Sequence, residues 1–241
     1  VAETDERDGT AAIDAARQLW EGAFHGVLGT QSESHPGYPF PSLVPYCLDR
    51  HGNALLLLSH LAQHARNLSR DPRCSLLLTG PETEDAQQRA RLAVLGECRP
   101  LLEADNDEGQ RYFRYYPHAL PYLEELNFRL FRLVPSAAHI NTGFASARWL
   151  GVQRMAGGTR FGADEERRLI RAISEQPFLG RLMRQATGTA PPEAAAVAVA
   201  GADAGGVDLR TGRRIARVTL SRQIGAPTDL LEVLRNADSA V

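Results

Sequence analysis

Residues 26–79 read GVLGTQSESHPGYPFPSLVPYCLDRHGNALLLLSHLAQHARNLSRDPRCSLLLT, in which short apolar runs alternate with tight turns and one short polar helix. Strand-like runs stand at 25–30, 43–48, 54–59 and 74–79. A turn-rich loop, SESHPGYPF, joins the first two, and Asp49-Arg50-His51-Gly52-Asn53 makes a hairpin turn in which Gly supplies the unusual backbone angle. Runs this short, joined this tightly, predict a small antiparallel barrel and not a parallel sheet, whose crossovers need longer connections.

The rest of the chain extends the same plan. Residues 1–10 (VAETDERDGT) are polar and read as disordered. From Thr10 to Gly22, Ala12, Ile13, Ala16, Leu19 and Trp20 recur at helical spacing. A long strand is expected over 89–102, with Gly96 as a bulge, then a helix over 105–116 that stops before Pro117. Further strands are expected at 127–134 and from 139 onward. The small, flexible stretch 153–162 marks a boundary. Beyond it come a helix capped by Asp164 and broken at Pro177, a Pro/Ala linker over 190–196, strands at 197–211 and 214–221, and a closing helix over 227–237. The fold class expected is α+β, mainly antiparallel β: a barrel domain over 11–155 and a smaller α+β module over 163–241.

The net charge of −2 does not suggest nucleic-acid binding. The chain has no Lys, and all 27 cationic side chains are Arg, which excludes a Lys Schiff base. Any phosphate or carboxylate must then be met by Arg, His, hydroxyls or backbone N–H. Cys47, Cys74 and Cys98 are scattered without zinc spacing and read as buried, reduced thiols. No apolar run is long enough to span a membrane, so a cytoplasmic, non-membrane protein with a small-molecule ligand is expected.

The chemistry-bearing stretch is the strand-to-helix junction Ser59, His60, Leu61, His64 and Asn67. Helix-start N–H groups lack internal partners and carry partial positive charge, and the hydroxyl, imidazoles and amide add donors. Val44 and Tyr46 on the neighbouring strand offer an edge for a flat ring. The junction suits an anionic aromatic ligand; it also suits a plain solvated surface helix. His60 and His64 stand four apart, but Leu61, Ala62 and Gln63 between them supply neither a third metal ligand nor a general base. No P-loop, GxSxG or dinucleotide fingerprint occurs, and no catalytic acid or base is visible.

The segments PSLVPYCLD, LLLLSHLAQHARNLSRDPRCSLLL, RLAVLGECRPL and GFASA resemble the flavin-binding split-barrel superfamily of pyridoxamine 5'-phosphate oxidase-like proteins, and within it the HugZ-type haem-utilisation branch. The resemblance covers 12–152. It implies a six-stranded split barrel and a homodimer with FMN at the dimer interface. By position it puts Ser59, His60, Leu61, His64 and Asn67 at the flavin phosphate, Val44 and Tyr46 beside the ring, and Gly143-Phe144 on a strand of the dimer face. Where many relatives have Lys, this chain has His64. ARWLGVQRM lacks the substrate signature of true pyridoxamine phosphate oxidases, so that activity is not expected. The implied function is a flavin-dependent oxidoreductase of unnamed substrate; the alternatives are a haem-binding or haem-degrading protein and a vestigial dimeric interaction module. All seven His lie at or before 139, so an axial haem ligand is expected from a barrel His (His60, His64 or His139) or from a non-His group, and not from a His of the C-terminal module.

Overall fold

The computed structural model describes residues 2–101, 106–143, 146–155, 161–191 and 196–236. The chain divides into two units: Val1–Asp105 with Pro121–Gly157, and Asn106–Leu120 with Gly158–Val241.

The first unit is a closed antiparallel barrel of β1 (His25–Gln31), β2 (Pro39–Leu48), β3 (Ala54–Ser59), β4 (Arg73–Thr79), β5 (Arg91–Pro100) and β6 (Phe128–Asn141). The order is β3-β2-β1-β4-β5-β6, and β3 pairs back onto β6 to close the ring. β7 (Ala147–Leu150) adds a seventh strand beside β6. Alternation does the sorting: Leu28, Leu76, Leu92 and Val94 point into one core, and their chain neighbours point out. α1 (Ala2–Gly22) adds Ala12, Ala16 and Trp20 to that core, with Ile13 and Leu19 packed beside them. Trp20 Nε1 donates to the Gly52 carbonyl at 3.0 Å and its ring stacks on Tyr46.

The hairpin at Asp49 forms as its sequence dictates. The Asp49 carboxylate accepts from the N–H groups of His51 and Asn53, both at 2.8 Å, and Gly52 takes φ +82. Three expectations give way. Residues 2–10 are not disordered but continue α1: the run has no Pro to break the helix, and Gly9 is tolerated within it. The two strands expected around 127–134 and 139 are one strand, β6. Pro135, which lacks an N–H, faces Gly96 at a register shift that leaves Ser136 unpaired, so no ladder bond is lost to the proline. Gly96 is obligatory there, because a Cβ would run into the Val134 carbonyl oxygen. Gly143 lies in the β6–β7 turn at φ +141, and Phe144 falls outside the described residues.

The short helices α2 (Gln63–Arg70), α4 (Leu120–Glu125) and α5 (Val152–Met155) fill connections of the barrel chain. The second unit holds α3 (Asn106–Tyr115), a 3-10 turn Pro117–Ala119, α6 (Ala163–Ser174), α7 (Leu179–Thr187), α8 (Pro227–Arg235) and the meander β8 (Val197–Asp203), β9 (Gly206–Thr211), β10 (Arg214–Thr219). The run 197–211 is thus a hairpin, turned at 204–205 where the Gly205 N–H donates to the Asp203 carboxylate. The sequence placed α3 with the barrel; its side chains bind elsewhere. Arg111 and Arg114 pair with the buried Glu166 of α6, and the Tyr115 hydroxyl donates to Asp208 of β9 at 2.6 Å. Arg217 of β10 holds Asp203 and Asp208 together, while burial pushes the Asp208 carboxyl up from its ordinary pKa. Leu169, Ile173, Leu182, Leu209 and Leu230 form the core of this unit.

Candidate functional site

β3 ends at Ser59, and the chain turns at once: the Ala62 N–H donates to the Ser59 carbonyl, and the Leu61 N–H reaches the Ser59 hydroxyl at 3.3 Å. α2 then starts on Ala62, whose side chain offers no cap. The junction read from the sequence therefore exists as a compact loop and helix start. Its side chains have divided tasks.

Asn67 is fully buried and fully engaged. Its Oδ1 accepts from the Glu33 N–H at 2.9 Å and from Gln63 Nε2 at 2.8 Å, and its Nδ2 donates to Thr30 Oγ1 at 2.8 Å. The side chain locks the β1–β2 loop to α2, with its oxygen and its amide nitrogen both bonded inside the fold. Ser34 and Arg66 join the same network through Gln63 Oε1. Val44 and Tyr46 are 2% and 1% exposed, respectively, and belong to the barrel core. The Tyr46 hydroxyl donates to the Trp20 carbonyl at 2.8 Å. Their side chains do not lie along an external ring system, because the parity of β2 turns them inward.

The two imidazoles differ. His64 Nδ1 lies 3.3 Å from Ser42 Oγ, while its Nε2 is buried with no hydrogen-bond partner among the described residues. Burial lowers its pKa, so at neutral pH it is an uncharged ring and a weak partner for phosphate. His60 is exposed, and its Nδ1 sits 2.9 Å from the Asn127 carbonyl oxygen. A carbonyl only accepts, so Nδ1 carries the proton and, in the neutral ring, Nε2 is the nitrogen with the lone pair. Asn127 holds φ +54, a conformation Asn tolerates better than most residues, and that aims its carbonyl. Leu61 beside His60 is 68% exposed and Leu126 beside Asn127 is 53% exposed. A lone imidazole nitrogen, its tautomer fixed from behind and its flanks apolar, is the arrangement a metal-centred flat ligand takes. Among the described residues no group of three His, Cys, Asp or Glu side chains gathers for a bare metal ion.

Sequence reasoning missed the Thr30–Asn67–Gln63 network and the partnership of His60 with Asn127, 67 residues away. It also excluded imidazole from the C-terminal module. The structure corrects this: the 106–120 segment belongs to the second unit and brings His118 with it. The three cysteines are free and buried, and among the described residues no helix is long and apolar enough to cross a membrane.

The family described as "CREG, beta-barrel" matches residues 7–154. The chain is 28% identical over 138 residues to the non-canonical heme oxygenase HOZ, chloroplastic, of Arabidopsis thaliana, covering 56% of this chain and 41% of that protein. It is 31% identical over 120 residues to the heme oxygenase HutZ of Vibrio cholerae, covering 46% of this chain and 66% of that protein. It thus spans less than two thirds of the length of either relative. The fold is shared with protein Atu2129 of Agrobacterium tumefaciens, of unknown function, at TM-score 0.76 and 20% identity over 94% of both chains. The closed six-stranded barrel and a family match that spans all six of its strands agree: the chain belongs to the CREG β-barrel family.

Proposed function

We propose that this protein binds haem on its barrel unit, with His60 as the axial ligand. The observation that carries the reading is the His60–Asn127 hydrogen bond, which leaves Nε2 as the lone-pair nitrogen of an exposed residue beside Leu61. The names of the Arabidopsis and Vibrio relatives, both heme oxygenases, support haem over flavin as the ligand. The residues of this chain support it too: Asn67 is spent on the fold, His64 is uncharged, and Val44 and Tyr46 are core. Haem, when bound, supplies an iron centre for oxygen or electron chemistry. What the chain itself does is fix one imidazole tautomer, offer apolar contact for a ring, and meet carboxylates without any Lys, through Arg, His, hydroxyls or backbone N–H. The test is an absorption spectrum after incubation with haemin, or with FMN, followed by gel filtration. A retained Soret band without flavin bands is expected; flavin bands alone would overturn the reading.

We further propose that the protein is a homodimer through the outer face of the barrel. Leu43, Val27, Leu77, Ala93, His139 and Trp149 stand opposite one another in a single row across six strands. Leu43 is 74% exposed and Trp149 63%, and a row of this length with His139 as its one polar member is unusual for a surface that meets only water. Sedimentation is expected to give a dimer that Leu43→Glu converts to monomer. A monomeric wild type would contradict it.

A further inference from the structure

The second unit contains a groove of about 310 Å³ that the haem reading does not use. One wall is the C-terminal end of α7, with Met183 and Thr187, and the other is the β9–β10 turn, Thr211 to Arg214. The turn is rich in positive charge. Arg214 Nη2 donates to the Thr187 carbonyl at 3.2 Å, and Arg210 donates to the carbonyls of Arg114 and Gly212, both at 3.1 Å. These acceptors are neutral, so both guanidinium charges stay uncompensated. Among the described residues Arg210, Arg213 and Arg214 have no carboxylate partner.

Three details separate this groove from an ordinary solvated surface. Thr211 lines it, and its Oγ1 is buried with no hydrogen-bond partner among the described residues, a group that costs stability unless something binds it. Gly212, at φ +55, has open space where a Cβ would stand, so the tip of the turn lies clear. The positive field is felt nearby: burial first, then Arg213 and Arg210, hold the His118 imidazole below its ordinary pKa. Like charges gathered without a counter-charge, next to an unused hydroxyl and the apolar wall of Met183, Ala190 and Pro191, match the chemistry of an anion carried on a short apolar body.

We propose that this groove is a binding site for a small carboxylate- or phosphate-bearing molecule, held by the Arg213 guanidinium and the Thr211 hydroxyl. It is independent of haem binding, and a failure of His60 to hold haem leaves it standing.

The full chain, labelled with nitrogen-15, is titrated with inorganic phosphate and separately with butyrate, at ionic strength held constant with chloride. Saturable amide shifts confined to 187–191 and 211–214 are expected with at least one of them. Phosphate alone identifies a phosphoryl ligand, butyrate alone a carboxylate, and either result supports the site. Arg213→Gln is expected to weaken binding by about tenfold or more, the usual worth of one charge-assisted hydrogen bond. Thr211→Val is expected to weaken it less, and the exposed Arg222→Gln not at all. No saturation with either anion, or unchanged affinity in Arg213→Gln with an otherwise intact spectrum, would overturn the proposal.

Discussion

Replacing Asn67 by Ala removes three hydrogen bonds from a site with no solvent access: two to Oδ1, from the Glu33 N–H and Gln63 Nε2, and one from Nδ2 to Thr30. Each is worth about 1 kcal/mol net. The Thr30 hydroxyl keeps its bond to the Phe40 carbonyl at 3.3 Å, so the main group left stranded is the Glu33 N–H. The expected loss is therefore about 3–4 kcal/mol, the three bonds plus part of one desolvation penalty. Urea unfolding followed by Trp fluorescence measures it cleanly. Both tryptophans, Trp20 and Trp149, belong to the barrel unit, so the signal reports that unit even if the two units unfold separately. The midpoint should fall at unchanged slope, with no ligand present. Arg66→Ala, which cuts only exposed bonds of the same network, should cost under about 0.5 kcal/mol. A loss below about 1 kcal/mol for Asn67→Ala would refute the clamp and return Asn67 to the role of a ligand donor.

Two further perturbations probe the frame. Gly96→Ala forces a methyl group into the Val134 carbonyl, a backbone atom that cannot swing away, and should cost about 2–3 kcal/mol in the same urea assay. A near-neutral result would mean the bulge in β5 and β6 is not as placed. His64 gives a pH dependence. Its folded pKa lies below the ordinary 6.5, so as pH falls the unfolded chain takes up the proton first. The stability this confers is whole above pH 6.5 and is lost as pH drops toward the folded value. His64→Gln should flatten that part of the stability profile, and an unchanged slope would contradict a desolvated ring.

What could be read from the sequence was local. The Asp49–Asn53 hairpin and the Gly96 bulge depend on residues that accept particular backbone angles or close approaches, and such residues announce themselves. β1 to β4 followed from the alternation of apolar residues between turns. What failed was non-local or masked by composition. Pro135 looks like a strand end unless one knows that the partner strand drops a ladder bond there. The hairpin between β8 and β9 has Asp203 and Gly205 at its turn, but the run of Val, Ala and Gly on either side reads as one continuous strand. The placement of α3 depends on Glu166 and Asp208, which lie 55 and 93 residues from their partners Arg111 and Tyr115.

The site shows the same division. That Ser59 to Asn67 forms a polar junction was legible, because the strand, turn and helix are contiguous. Which side chains stay available was not. Asn67 is captured by a loop 34 residues upstream, and His60 gains its tautomer from Asn127. Val44 and Tyr46 share a face by simple alternation, but that the face is internal depends on Trp20 of α1 lying against it.

The most direct measurement is a haemin titration of wild type, His60→Ala and His64→Ala, each followed at the Soret band after gel filtration. The account predicts a stoichiometric, co-eluting band in wild type that is lost or shifted in His60→Ala and kept in His64→Ala, whose buried nitrogen cannot reach the iron. The same band, in position and stoichiometry, in the His60→Ala protein would contradict it.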